Sequence, residues 1–383
     1  MNWDDIIVDA AATDTGMRRS NNQDSHTIVR ASKVETWRSR GHVFMVADGM
    51  GAHAVGELAS KLACDNIPHN YTKAKAVPAA EAITKAYKEV GGLIHGKATA
   101  NRDFQGMGTT ASTLILGAEG ALIAHVGDSR VYRVRNGRID QLSFDHSLAW
   151  ELVRRKHLSV EQADKAVPRN VITRSLGPDP NVEVDIEGPL PVEAGDVFLL
   201  CSDGLSGPVE DPELGAFAGN FHPKDACRYL LSLANLRGGH DNITVVIARI
   251  GEWVEPESAT DVPKVAEAPA AGWKKEGGWI KGLFAAKKRG NGAHAVEEHL
   301  YRSVDCPISE GLVDRLAEQV GRVQQIAVEQ TWPVDWPELA RLRRKAAEAR
   351  AGGQVRTALR DLGEAIDRLG QAGRLHRKAA SVG

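Results

Sequence analysis

Four aspartates stand at the edges of strand-like apolar runs: Asp48 follows FMVA, Asp128 follows AHVG, Asp203 follows LLCS and Asp241 precedes NITVVI. A fifth, Asp24, follows NNQ. Strand ends that converge at one rim of a sheet pair would gather these carboxylates, and gathered carboxylates repel unless a cation neutralises them. Oxygen ligands without His or Cys companions select Mg²⁺ or Mn²⁺ over zinc. Two such ions, roughly 3.5–4 Å apart, can hold a bridging water, lower its pKa and clamp the oxygens of an in-line displacement at phosphorus. That chemistry is phosphate-ester hydrolysis without a covalent enzyme intermediate. It also needs a cation to orient the phosphoryl group, which an arginine fork does bidentately, and Arg19 lies in the same block as Asp24. Taken alone, Asp48-Gly49 or Asp203-Gly204 reads most simply as a turn dipeptide. The repetition of Asp-Gly after four or more apolar residues is what isolated turns do not explain.

The elements that must position these residues are short and mixed. HVFMVA (42–47), TLILG (113–117), ALIAHVG (121–127), VYRVR (131–135), DVFLLCS (196–202) and NITVVIARI (242–250) are strand-length, rich in Val, Ile, Leu and Phe, and bounded by Gly, Asp or Asn. Asn136-Gly137 supplies a tight hairpin turn between VYRV and RIDQL, because both residues tolerate positive φ. Helices are expected from Gly56 to Ile67, stopped by Pro68, from Pro78 to Ile94 and from Pro223 to Leu236, with a capping box at Ser159 and Gln162 opening a shorter one. Residues 1–250 therefore read as mixed α and β. From 251 to 299 the chain reads as a linker poor in large apolar residues, and residues 300–383 return to helical periods. Leu312, Leu316, Val320, Val323 and Ala327 share one face, Val355, Leu359, Leu362, Ile366 and Leu369 another, and Trp336 to Arg350 supplies a third helix. These faces would be buried most simply against one another, as a small helical domain.

With 383 residues, 42% of them hydrophobic and 26% charged, the chain has the composition of a globular protein of more than one unit. Its 48 basic and 50 acidic side chains leave a net charge of −2, and residues 1–250 hold 27 basic against 31 acidic, so no basic groove for nucleic acid is expected. Residues 339–383 are the exception, with 11 Lys or Arg against 4 Asp or Glu, a surplus suited to an acidic partner. Cys64, Cys201, Cys227 and Cys306 are scattered and never form C-x-x-C, which argues against a disulfide framework or a zinc site. With no leader-like N-terminus and no long apolar stretch, a cytoplasmic protein is expected.

Eight blocks in order carry a resemblance: TDTGMRRSNNQDS (13–25), MVADGMGAHAVGELAS (45–60), GMGTTAS (106–112), HVGDSRVYRV (125–134), SFDHS (143–147), VITRSLG (171–177), LLCSDGLSGPV (200–209) and GGHDNITVVI (238–247). Through them the chain resembles the PPM, or type 2C, protein phosphatases, specifically their compact bacterial branch. The resemblance implies an α+β fold: a four-layer α-β-β-α sandwich of two antiparallel sheets flanked by helices, with a two-metal site at one edge. It implies hydrolysis of phosphoserine and phosphothreonine in proteins with Mn²⁺ or Mg²⁺, opposing a serine/threonine kinase. Carried over by position, Asp48 bridges both metals, the Gly49 carbonyl ligates one, and Asp203 and Asp241 complete the other site. Asp24 orients water at the metals, Arg19 holds the substrate phosphate, and Asp128 helps bind a third, weaker ion. Ala149 to Arg169 matches a mobile flap.

Two departures stand out. Ala52 replaces a usual Gly, so positive φ is not expected there, and Met50 stands where eukaryotic members often carry a general-acid histidine. His53 and His146 lack metal-ligand spacing and suit supporting or packing roles, while Cys201 suits a small core residue rather than a nucleophile. Two other readings of residues 1–250 remain: a catalytically inactive binding domain of the same fold, or a different two-metal phosphohydrolase. GWKKEGGWIKGLFAAKKRG (272–290) mixes aromatics with six Lys or Arg and suits docking onto the rest of the chain, an acidic protein groove or an anionic membrane surface.

Overall fold

The computed structural model describes residues 7–51, 55–74, 77–155, 157–158, 162, 171–253 and 302–380. Ala52, His53, Ser159 of the capping box, most of the flap beyond 155 and the stretch 272–290 lie outside them.

The period-2 alternation of the strands builds two antiparallel sheets. One has the order β2 (Asp24–Val29), β3 (His42–Met50), β5 (Ala111–Gly117), β6 (Gly120–Val126) and β9 (Asp185–Leu190), with the short β4 (Gly108–Thr109) also on β3. The other has the order β1 (Ile7–Asp14), β11 (Ile243–Ile250), β10 (Val197–Cys201), β7 (Arg130–Arg135), β8 (Arg138–Gln141) and β12 (Arg302–Asp305). Phe44 and Val46 from β3, Phe198 and Leu200 from β10, and Val246 and Ala248 from β11 form the core between the sheets. Their alternate neighbours face outward under helices: Val43 and Met45 beneath α2 (Val55–Lys73) and α3 (Ala79–Ala100), and Leu199, Val245 and Ile247 beneath α6 (Asp211–Asn220) and α7 (Pro223–Leu236). The result is the expected sandwich of helices, two sheets and helices. Asn136 (φ 51°) and Gly137 (φ 74°) make the hairpin turn, pairing Arg135 with Arg138.

Two expectations change. Pro68 does not stop α2, which runs on to Lys73. The ring removes one backbone hydrogen bond, but Ile67 and Tyr71 are buried on the continuing face and the Tyr71 hydroxyl donates to the Arg40 carbonyl at 2.9 Å, which holds the last turn. The C-terminal helices α8 (Glu310–Glu329), α9 (Trp336–Ala351) and α10 (Val355–Ala380) form as expected, with Leu312, Leu316, Val320, Leu359, Leu362 and Ile366 buried. They do not close on themselves alone. Those side chains share one apolar core with Phe217, Tyr229, Leu230 and the outer face of the second sheet. β12 also extends that sheet, pairing Val304 with Ile139. Among the described residues, no helix is long and apolar enough to cross a membrane.

Candidate active site

The antiparallel register brings the carboxylates together. Asp24, at the start of β2, lies directly opposite Asp48, near the end of β3. Asp203 opens a short helix, α5 (Asp203–Ser206), just after β10, Asp128 follows β6, and Asp241 precedes β11. The beginnings of β2 and β11 and the ends of β3, β6 and β10 thus meet at one rim.

Short polar residues beside the acids hold them and their loops in place. Asp48 N–H donates to Thr110 Oγ1 at 2.8 Å, and its carbonyl accepts from Thr110 N–H at 2.8 Å and Thr109 Oγ1 at 2.9 Å. Ser202 Oγ donates to Asp24 Oδ2 at 2.7 Å and accepts from Thr244 N–H at 3.0 Å. Asn242 ties the remaining loop down: its Nδ2 donates to the carbonyls of Thr15 and Asn21, both at 2.9 Å, and its Oδ1 accepts from Gln23 N–H at 2.8 Å. Thr110, Ser202 and Asn242 were not singled out by the sequence reasoning. Their signal is adjacency to the acids in GMGTTAS, LLCSDG and HDNIT, but short polar residues beside loops are too common to stand out.

Neither Asp-Gly pair is a turn, which corrects the simplest reading of each alone. Asp48-Gly49 lies within β3 and Asp203-Gly204 within α5. The glycines are required by close approach: a Cβ on Gly49 would fall 2.0 Å from the Gly56 carbonyl oxygen, and one on Gly204 would fall 1.9 Å from that of Asn242.

Gathering buried acids is electrostatically costly. Burial, then the charges of Asp24, Asp203, Asp128 and Asp241, push the Asp48 carboxyl well above the ordinary range. Burial is also the first cause of the rise of Asp24 to about 7 and of Asp128 to about 8, each with Asp203 adding to it, and it raises Asp203 itself. One oxygen on each of Asp24, Asp128 and Asp203 is buried with no hydrogen-bond donor. Such atoms cost roughly 1–3 kcal/mol each, more when charged, and hard divalent cations would satisfy them. Oxygen-only donors fit Mg²⁺ or Mn²⁺. Among the described residues no three His, Cys, Asp or Glu side chains close around one point by themselves. Backbone carbonyls and water would complete each shell, as is usual for Mg²⁺.

Arg19 lies in the loop between β1 and β2, half-exposed, with Nη2 donating to Asp241 Oδ2 at 2.7 Å. That hydrogen bond and the charge of Asp241 raise its pKa. His146 serves structure: Nδ1 accepts from Gly127 N–H at 3.1 Å and Nε2 lies 2.9 Å from Asp185 Oδ2, holding the turn that carries Asp128. Burial pushes the Cys201 thiol up to about 12. Cys201→Ser is therefore expected to keep its turnover while losing about 1–3 kcal/mol of stability by burying a hydroxyl. Activity and melting temperature check both halves, and loss of turnover in a folded variant would point to a cysteine mechanism.

Comparisons with known proteins show the family and the fold. The sequence profile described as Protein phosphatase 2C matches residues 17–234. The protein phosphatase PhpP of Streptococcus pneumoniae is 33% identical over 245 residues, covering 63% of this chain and 96% of that protein. Among solved structures, the serine/threonine phosphatase PstP/Ppp of Mycobacterium tuberculosis superposes with a TM-score of 0.58 at 31% identity, covering 64% of this chain and all of that one. The PstP catalytic domain in complex with two manganese ions gives 0.55 at 30% identity, covering 64% and 99%. More than a third of this chain lies outside these matches.

Proposed function

This chain belongs to the protein phosphatase 2C family and is a serine/threonine protein phosphatase, and we propose that it works with two divalent cations, Mn²⁺ or Mg²⁺, held on the aspartate rim. The observation that carries this reading is the set of five gathered carboxylates with three buried, unsatisfied oxygens. In it Asp48, the Gly49 carbonyl, Asp203 and Asp241 would hold the two ions, and Asp128 would help hold a third, weaker one. When bound, the cations would neutralise the clustered acids, lower the pKa of water and draw charge from the phosphoryl oxygens.

The chain's own groups do the rest. Arg19 presents its remaining donors to the substrate phosphate while Asp241 holds the guanidinium in place. Asp24, fixed by Ser202, accepts a hydrogen bond from the attacking water and aims it at phosphorus. A P–O bond to water forms as the bond to the serine or threonine oxygen breaks. Met50, two residues after Asp48, has no proton to give, so the leaving oxygen is protonated by water or by another acid. The substrates are phosphoproteins made by a serine/threonine kinase, which this enzyme opposes.

The test is phosphate release from a phosphothreonine peptide by the full chain, with Mn²⁺ and with excess EDTA. Activity is expected only with the metal, and full activity in EDTA would overturn the reading. Arg19→Ala is expected to lower kcat/KM by the equivalent of about 1.5–3 kcal/mol, the value of a charged hydrogen-bonding partner. Lysine should restore only part, because a point charge replaces a fork. Unchanged kinetics for Arg19→Ala would remove it from the phosphate site.

A further inference from the structure

The loop that carries Arg19 is held from two sides, and one of them is the C-terminal helix. From the catalytic side, the Gly239 carbonyl accepts from Met17 N–H at 2.7 Å and Arg18 N–H at 3.1 Å. From the other side, the Arg377 guanidinium, in the last turn of α10, donates Nη1 to the Gly16 carbonyl and Nη2 to the Arg19 carbonyl. Arg374, one turn earlier, lies 3.6 Å from Asp14, whose other oxygen accepts from Gly16 N–H at 2.8 Å. We infer that Arg377 is a positioning residue for the phosphate arginine, through which the C-terminal helices set substrate affinity in a site more than 350 residues away in sequence. The inference rests on Arg19 being the phosphate ligand.

The rest of α10 is built to deliver this contact. Gly363 and Gly370 let it press onto α7: a Cβ on Gly363 would lie 2.7 Å from the Tyr229 ring, and one on Gly370 would lie 2.8 Å from Ser232. Buried Asp367, between those glycines, accepts from Ser232 Oγ at 2.8 Å and from Arg228. Further on, the Trp332 indole sits over Gly373 and stacks on His376, which braces the final turns. Gly363, Asp367, Gly370 and Arg377 recur at helical spacing, so they share one face. The helix axis therefore runs along α7 and ends at the loop. With both carbonyls bound to one planar fork, residues 16–19 cannot swing without breaking two charge-assisted hydrogen bonds.

Losing that restraint lets Arg19 leave its place, which weakens phosphate binding in the ground state and the transition state alike, so KM rises while kcat holds. Arg377→Ala in the full chain is expected to raise KM for the phosphopeptide about tenfold, with kcat within about twofold and inhibition by inorganic phosphate weakened in parallel. Arg377→Lys should recover part of the loss, since one ammonium cannot bridge two carbonyls as a fork does. A chain ending at His376 should match Arg377→Ala. Arg350→Ala, which breaks pairs with Glu310 and Asp314 inside the tail, should leave KM unmoved. Wild-type KM and phosphate inhibition in both Arg377→Ala and the shortened chain would overturn the inference, as would an equal shift in Arg350→Ala. An Arg19→Ala control with unchanged KM and phosphate inhibition would instead overturn the reading of Arg19 as the phosphate ligand.

Discussion

Asp48→Asn is expected to remove metal-dependent phosphate release, lowering kcat by at least 10²–10³-fold, roughly the range seen when one preorganised charge-stabilising group is deleted. Asp48 is the acid that feels all four others, and its backbone is pinned to Thr109 and Thr110, so no neighbour can move into its place. An amide keeps the shape but cannot neutralise two cations. Asp203→Asn and Asp241→Asn should follow closely. The variant should nonetheless fold well. Without a cation the Asp48 carboxyl is already pushed toward its neutral form, which an amide imitates, so the metal-free melting temperature should hold or rise. Manganese should raise the melting temperature of the wild-type chain and much less that of Asp48→Asn. Near-normal turnover in the variant, with manganese still stabilising it, would show that the cations are bound elsewhere.

Much of this site was legible because β-structure has a rigid period. Phe44 and Val46 alternate with Val43 and Met45, so the strand ends that carry Asp48, Asp128 and Asp203 could be read from apolar runs. The Asn-Gly hairpin was legible for a similar reason, since positive φ is a local demand. What was not legible depends on contacts distant in sequence. The glycines after Asp48 and Asp203 answer to the carbonyls of Gly56 and Asn242, and only the assembled fold distinguishes this from a turn. Pro68 looked like a stop because local rules ignore the tertiary hydrogen bond of Tyr71. The amphipathic faces of α8 and α10 announced burial but not the surface that buries them, because an apolar stripe does not encode its partner.

That last point changes what a truncated chain should do. Residues 1–250 alone look sufficient from sequence, since every catalytic position lies within them. The structure instead predicts that cutting after Trp253 uncovers the outer side of α7 and strands β8 as an unpaired edge. Tyr229 would lose Gly363 and Glu364, Arg228 would lose Glu364 and Asp367, and the cover over Phe217 and Leu230 would thin. A fully buried large apolar side chain contributes about 1.5–3 kcal/mol. Uncovering even four would cost roughly 6–12 kcal/mol, against a total stability of roughly 5–15 kcal/mol for a typical domain. The truncated protein is therefore expected to melt on the order of 10 °C lower or more, to bind a hydrophobic dye and to aggregate. Whatever fraction stays folded should still hydrolyse the phosphopeptide, because the aspartate rim is intact. Gly363→Val in the full chain should move stability the same way, since its side chain would meet the Tyr229 ring. A truncated chain that melts like the full one and binds no dye would show that α8–α10 form an independent unit and that the shared core contributes nothing to the stability of the phosphatase fold.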